Sequence, residues 1–199
     1  VSWRLIGAMI MVHGDDKGLV LPPKVAPMQI VIVPIYRNEE GKNNVLPKVE
    51  KIQNELESKD IRIHVDDREG LSPGYKFNDW ELKGVPLRIE IGPKDIENQK
   101  IVVAKRYNLE KISLDFTEIE KIPLILEEIQ MEMLKKAKEQ ANKNTLEITD
   151  YPEFKSKIEK GGFFNSPWCG KLECEDKIKE ETGAEIRVIP FNSEDSTKE

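Results

Sequence analysis

The segment MQIVIVPIY, from Met28 to Tyr36, constrains the fold more than any other part of the chain. Its apolar residues run on without alternating, as in a strand buried on both faces of a sheet. Val45, Val49, Ile52 and Leu56 then recur at helical spacing and predict a helix over about 45–59, after which Ile61 to Val65 alternates as a second strand. Strand, helix and strand in that order predict an open sheet with a right-handed crossover. At 199 residues, 38% hydrophobic and 34% charged, the chain can hold one such α/β domain and a smaller companion.

Further along, Ser72 as N-cap and Pro73 in the first turn predict a short helix from Tyr75 to Lys83. Two strands follow, Leu87 to Ile91 and Lys100 to Lys105, with Gly92 to Gln99 as a hairpin connection. Arg88 and Glu90 beside Lys105 and Arg106 would then give one side of the sheet a mixed charged face. Phe77 and Trp80 stand three residues apart on the short helix and read as core, whereas Tyr107, just past a strand end, reads as a stacking candidate. A helix from Glu118 to Asn142 carries an apolar stripe from Ile119 to Ala137, with Pro123 in its first turns.

The composition changes after Asn144. A short amphipathic stretch leads to Gly161-Gly162-Phe163-Phe164, then to Trp168-Cys169-Gly170 and Cys174, a helix from Glu175 to Thr182 and a strand from Glu185 to Pro190. Residues 192–199 are polar and expected to fray.

At the other end, residues 1–13 are nearly all apolar and read as a buried strand. Gly14 to Gly18 is a polar turn, Leu19 to Leu21 resumes an extended segment, and Pro22 to Pro27 is a rigid connector. Asp15 and Asp16 read as solvated turn residues, because no glycine-rich phosphate cradle precedes Lys17. The run from Leu5 to Val12 falls far short of the roughly 20 residues of a membrane span and lacks the flanks of a signal peptide. With only two cysteines in the chain, a soluble cytoplasmic protein without a disulfide framework is expected. The net charge of −6 does not exclude a nucleic acid, since the basic residues that meet phosphates can line a single face. The sequence opens on Val1 rather than Met, and is expected to be part of a longer protein.

Three strings carry a family resemblance: SWRLIGAMIMVHGDDKGLVLPPKVAP at 2–27, LSPGYKFNDWELKGVPLRIEIGPKD at 71–95, and WCGKLECEDKIKEETGAEIRVIPF in the tail. Together they resemble archaeal and eukaryotic-type prolyl-tRNA synthetases of class II. The resemblance implies three parts: the end of an antiparallel catalytic sheet at 1–27, a mixed-sheet anticodon-binding domain with flanking helices at 28–143, and an incomplete zinc-type α+β domain at 144–199. It also implies a proline–tRNA ligase. In that mechanism, ATP and Mg²⁺ would activate proline as the adenylate, to be passed to the end of tRNA(Pro), by positioning and charge stabilisation rather than by a nucleophilic side chain.

Residue by residue, Arg4 stands at the place of the ATP-binding arginine of the third class II motif, a task suited to a planar, permanently charged fork. His13 and Gly14 fall near the amino-acid pocket. Arg88, Glu90, Asp95, Lys105 and Arg106 would serve anticodon reading: acids accept from guanine N1 and N2, and Arg or Lys meets O6, N7 and phosphate. The family's C-terminal domain often holds Zn²⁺ on four cysteines, of which Cys169 and Cys174 are one pair, so zinc is expected only in a complete domain. A homodimer is implied for the whole enzyme, and the fragment alone is expected to be inactive. A non-catalytic RNA-binding protein that keeps the anticodon fold, or another class IIa synthetase, are the alternatives.

Overall fold

All five residues of β1 (Ile30–Pro34) are buried, and the main sheet is built around this strand. The computed structural model describes residues 2–189, in two compact units, Val1–Ala137 and Lys138–Glu199. In the first unit β1 lies between β2 (Ile63–Val65) and β3 (Leu87–Ile91), parallel to both. β3 pairs antiparallel with β4 (Lys100–Lys105), and β4 with β5 (Lys111–Asp115), giving the order β2-β1-β3-β4-β5. The expected mixed sheet is therefore present, with one more strand than the sequence reading supplied.

Two long helices cover one face of this sheet. Helix α2 (Glu39–Glu57) contributes Val45, Val49, Ile52 and Leu56, and α5 (Ile122–Lys143) contributes Ile122, Ile125, Leu126, Ile129 and Met133. These pack with Ile30, Ile32, Leu87, Ile89, Ile91, Ile101 and Val103 in a single apolar core. α2 begins six residues earlier than its apolar spacing predicted. Asn38 caps it, its Oδ1 accepting from Gly41 N at 2.9 Å, and Glu39 and Glu40 complement the helix dipole in the first turn. A 3₁₀ turn, Phe116–Lys121, precedes α5, so Pro123 sits where its missing N–H costs least.

The opposite face is partly covered by α3 (Pro73–Leu82), whose Ser72 cap accepts from Tyr75 N at 3.2 Å as the sequence predicts. Trp80 packs there with Val31, Val33 and Val85. The connection between β3 and β4 contains one short helical turn, α4 (Pro93–Glu97).

Residues 3–13, expected as a buried strand, instead form a helix, α1 (Trp3–His13), with no buried residue. Ser2 caps it through Arg4 N, and among the described residues no strand lies beside it. A helix satisfies its own backbone groups, whereas an unpaired strand leaves them open, so a stretch without alternation or a neighbour coils. Leu19 to Leu21 is extended without being a sheet strand: Leu19 N donates to Leu82 O and Leu21 N to Gly84 O. The connector 22–27 is pinned by Arg62, whose guanidinium donates to Ala26 O at 3.0 Å and Pro23 O at 3.1 Å.

The second unit is a small α+β arrangement. β6 (Thr145–Glu147) pairs in parallel with β7 (Phe163–Asn165), joined through α6 (Tyr151–Ile158) and followed by α7 (Leu172–Thr182). Phe154 of α6 meets Phe164 of β7 edge-on at 5.4 Å, and Glu181 of α7 accepts from Tyr151 and Lys155. The strand expected from Glu185 does not form over 185–189, where Val188 and Ile189 are exposed and have no pairing partner among the described residues. Pro190, its expected end, and the tail 192–199 lie outside the described residues.

Candidate nucleic-acid interface

Alternation along β3 sends Leu87, Ile89 and Ile91 into the helical core and Arg88 and Glu90 to the other face, beside α3. Both charged residues are buried rather than solvated, at 7% and 8% exposure. Burial of charge requires partners. Arg88 Nε and Nη2 both reach Glu90 Oε1, at 3.1 and 3.0 Å, while Nη1 donates to Glu81 Oε1 at 3.0 Å. Lys111 of β5 closes the other side, its Nζ 2.9 Å from Glu90 Oε1. The guanidinium lies over the Phe77 ring, 4.2 Å from its centroid.

This cluster borders a cavity of about 220 Å³, lined among others by Lys17, Trp80, Glu81, Arg88, Arg106 and Lys111. The Arg88 fork, the Glu81 carboxylate, Lys111 and Trp80 thus line one concave site, while Glu90 and Phe77 hold Arg88 without lining it. Groups of these types have the hydrogen-bonding chemistry to meet the donor and acceptor edges of a splayed base. Phe77, Glu81 and Lys111 were not read as site residues in the sequence. Phe77 read as core, Glu81 lies on a helix facing a strand only tertiary structure brings to it, and Lys111 belongs to a strand whose sole signal was the alternation of Ile112 and Leu114.

A second polar cluster anchors α3 from beneath. Asp66 has no exposed surface; its carboxylate accepts from Trp80 Nε1 at 2.7 Å and from Arg68 Nε and Nη2 at 2.8 and 2.7 Å. Lys76 Nζ donates to the Asp66 carbonyl at 3.0 Å, and Arg68 continues to Asp79 at 2.7 Å. Burial by itself would raise the Asp66 carboxyl. The hydrogen bonds from Arg68 and Trp80, with the nearby charge of Lys76, outweigh it and hold the group well below the ordinary carboxylate range.

The remaining predicted residues fall elsewhere. Arg106 is buried, and its role as an open base-reading group is corrected: Nη1 and Nη2 fork onto Asp15 at 2.8 and 2.6 Å, and Nε donates to Glu81 O at 2.9 Å. Asp15, read as solvated, is therefore an ion-pair partner, and the Arg106 hydrogen bond lowers its carboxyl to about 2. Lys105 pairs with Glu110 at 3.0 Å and borders the cavity. Asp95 accepts from Gly92 N at 2.8 Å, capping α4, and does not line the cavity. Tyr107 packs against the helical core rather than standing free to stack.

Arg4 is exposed on the first turn of α1. His13 is half-buried at the end of that helix, its pKa lowered by burial and then by the charge of Lys136. Gly14 ends the helix, its N–H donating to Ile10 O at 2.8 Å. A Cβ there would meet that same oxygen at 2.6 Å.

In the second unit, Cys169 and Cys174 share a hydrogen bond that lowers the first thiol and raises the second. Among the described residues no group of three or more His, Cys, Asp or Glu converges on a metal site. Two thiolates supply half of the ligand set that tetrahedral zinc requires, so these residues do not by themselves fit the ion.

Residues 29–125 match the family described as the anticodon binding domain, and residues 151–199 match the prolyl-tRNA synthetase C-terminal family. The chain corresponds to the C-terminal region of prolyl-tRNA synthetases. It is 51% identical over 195 residues to a proline–tRNA ligase of Acetoanaerobium sticklandii, an alignment covering 97% of this chain and 40% of the relative. A proline–tRNA ligase of Cenarchaeum symbiosum is 52% identical over 193 residues, covering 96% of the chain and 40% of the relative. The chain thus spans about two fifths (40%) of the curated relatives it matches. The synthetase family uses ATP. Among the described residues, no helix of this region is long and apolar enough to cross a membrane.

Proposed function

We propose that this chain is the tRNA-reading part of a proline–tRNA ligase. The whole protein activates proline with ATP and Mg²⁺ and transfers it to tRNA(Pro), as a cytoplasmic homodimer. Residues 1–27 belong to the end of the catalytic domain, 28–143 to the anticodon-binding domain and 144–199 to the C-terminal domain. The observation that carries the reading is the Arg88 cluster: a fork already aimed by two carboxylates, above an aromatic ring, beside a cavity that opens on the sheet face free of α2 and α5.

Guanine presents N1–H and N2–H donors and the O6 and N7 acceptors. Glu81 and Glu90 can accept the former, while Arg88 and Lys111 meet the latter and the adjoining phosphate. In the free protein the carboxylates hold Arg88 in place, so the ordering cost is met before the RNA arrives. Lys105 borders the same cavity and offers a phosphate contact, whereas Asp95 shapes the β3–α4 turn and Arg106 positions Glu81. In the catalytic end, Arg4 would bind ATP and His13 with Gly14 would flank the proline pocket. The other groups of that pocket, and any that hold Mg²⁺, are expected in the part of the relatives that this chain does not span. Zinc would require further ligands beyond Cys169 and Cys174.

A direct test is binding of the full-length protein to tRNA(Pro) transcripts with and without the anticodon guanines. Preference for the native anticodon, weakened by Arg88→Lys, is expected; equal binding of both transcripts by the unaltered protein would overturn the reading.

A further inference from the structure

The polar turn at 14–18 was read as solvated, yet it is locked onto the end of α3 beside the cavity, where Lys17 joins the lining. Leu19 N donates to Leu82 O at 3.0 Å and Leu21 N to Gly84 O at 3.1 Å. Two glycines allow this approach. Gly18 has φ +128 and a Cβ there would lie 2.7 Å from Leu82 O; Gly84 has φ +73 and a Cβ would lie 2.6 Å from Leu19 backbone atoms. Both positions combine a left-handed backbone with contact too tight for any side chain.

The charged part of this junction is the Asp15–Arg106 pair. Arg106 is almost wholly buried, with 2% side-chain exposure, whereas Asp15 is 41% exposed. From Arg106 the contacts continue: its Nε holds the Glu81 carbonyl at 2.9 Å, and the Glu81 carboxylate holds Arg88 Nη1 at 3.0 Å. Glu81, Arg88 and Arg106 line the same cavity. A buried guanidinium that loses its carboxylate seeks another, and Glu81 belongs to the same cavity wall. Arg106 would then compete with Arg88 for the group that aims it.

We propose that Asp15 is a positioning residue for anticodon recognition, keeping the Arg106 fork off the Glu81 carboxylate so that this carboxylate stays with Arg88. The proposal rests on the reading function given above. It makes the segment carrying His13 and Gly14 one structural piece with the RNA-reading face, although Asp15 itself touches no base.

The test uses the full-length enzyme and two transcripts, one with its native anticodon and one with a single anticodon guanine replaced by cytosine. For Asp15→Asn, which keeps shape and removes charge, the preference in kcat/KM for the native transcript is expected to fall about three- to thirtyfold, through KM for tRNA. Proline-dependent ATP–pyrophosphate exchange stays within about twofold of the unaltered enzyme, and Asp15→Glu restores most of the preference. Arg106→Lys keeps the charge but not the two-pronged bond and should lie between, which preserves the comparison if Asp15→Asn folds poorly. A variant pair that loses thermal stability while keeping the full preference for the native transcript overturns the proposal. If the unaltered enzyme shows no preference, the reading function falls first and the positioning role with it.

Discussion

Trp80 Nε1 donates to the Asp66 carboxylate at 2.7 Å beneath α3, joining the helix that carries Phe77 and Glu81 to the end of β2. The carboxylate is fully buried and also holds Arg68 at 2.7 Å, while Lys76 approaches it at 3.7 Å. The reading face therefore stands on a buried ionic knot as well as on apolar packing.

Asp66→Asn removes the charge that compensates the buried Lys76 and part of Arg68, and should lower unfolding stability by about 3 kcal/mol. The midpoint of urea denaturation at neutral pH measures it. A midpoint unchanged from the parent protein would show that the knot contributes nothing.

The same group gives a pH dependence with a definite sign. Both Asp66 and Asp15 are held below their unfolded values, Asp15 at about 2. Their contributions are present above an unfolded pKa of about 4 and are lost as the pH falls through the folded values. The stability gap between parent and Asp66→Asn should therefore be largest at neutral pH and shrink steadily below about pH 4. Denaturation curves across that range measure the gap; one that widens in acid contradicts the assignment.

Arg88→Lys keeps a positive charge but cannot fork between Glu81 and Glu90 or lie flat on Phe77. A discrimination loss of about 1–3 kcal/mol per bidentate contact corresponds to roughly five- to 150-fold in KM for tRNA. Aminoacylation kinetics of the full-length enzyme, with proline-dependent ATP–pyrophosphate exchange as the reference reaction, separate this from a general loss of activity.

Two glycines with similar backbone angles should respond differently to alanine. Gly70 has φ +76 and nothing within 4 Å of an added Cβ, so Gly70→Ala should cost only the left-handed strain of about 1 kcal/mol. Gly84 has φ +73 and backbone of Leu19 at 2.6 Å, so Gly84→Ala must also open the junction and should cost clearly more. Thermal denaturation of the two variants side by side decides it, and equal shifts would mean that the junction yields freely.

The elements that were legible are those whose signal is local. β1 and β4 show in uninterrupted apolar runs, α3 in its Ser72-Pro73 start, and the core face of α2 in the spacing of Val45, Val49, Ile52 and Leu56. Its first turns were missed because a cap and two acids carry no apolar spacing. α1 was misread because apolar content without periodicity does not separate strand from helix. Arg88 and Glu90 were found as a pair on an open charged face of the sheet, since alternation reveals which side of a strand a residue takes and not what covers that side.

The sequence alone determined the strand-helix-strand core from β1 to β2, the α3 start, the apolar faces that assemble the sheet, and the family to which the region corresponds. All of these depend on residues near one another in the chain or on the literal strings themselves. Only the tertiary structure decided what the charged residues do. Glu81 meets Arg88 because α3 folds back over β3, Lys111 meets Glu90 because β5 joins the sheet, and Asp15 reaches Arg106 from the far end of the first unit. An ion pair is fixed by distance and burial, and those are set by how the elements pack rather than by spacing along the chain.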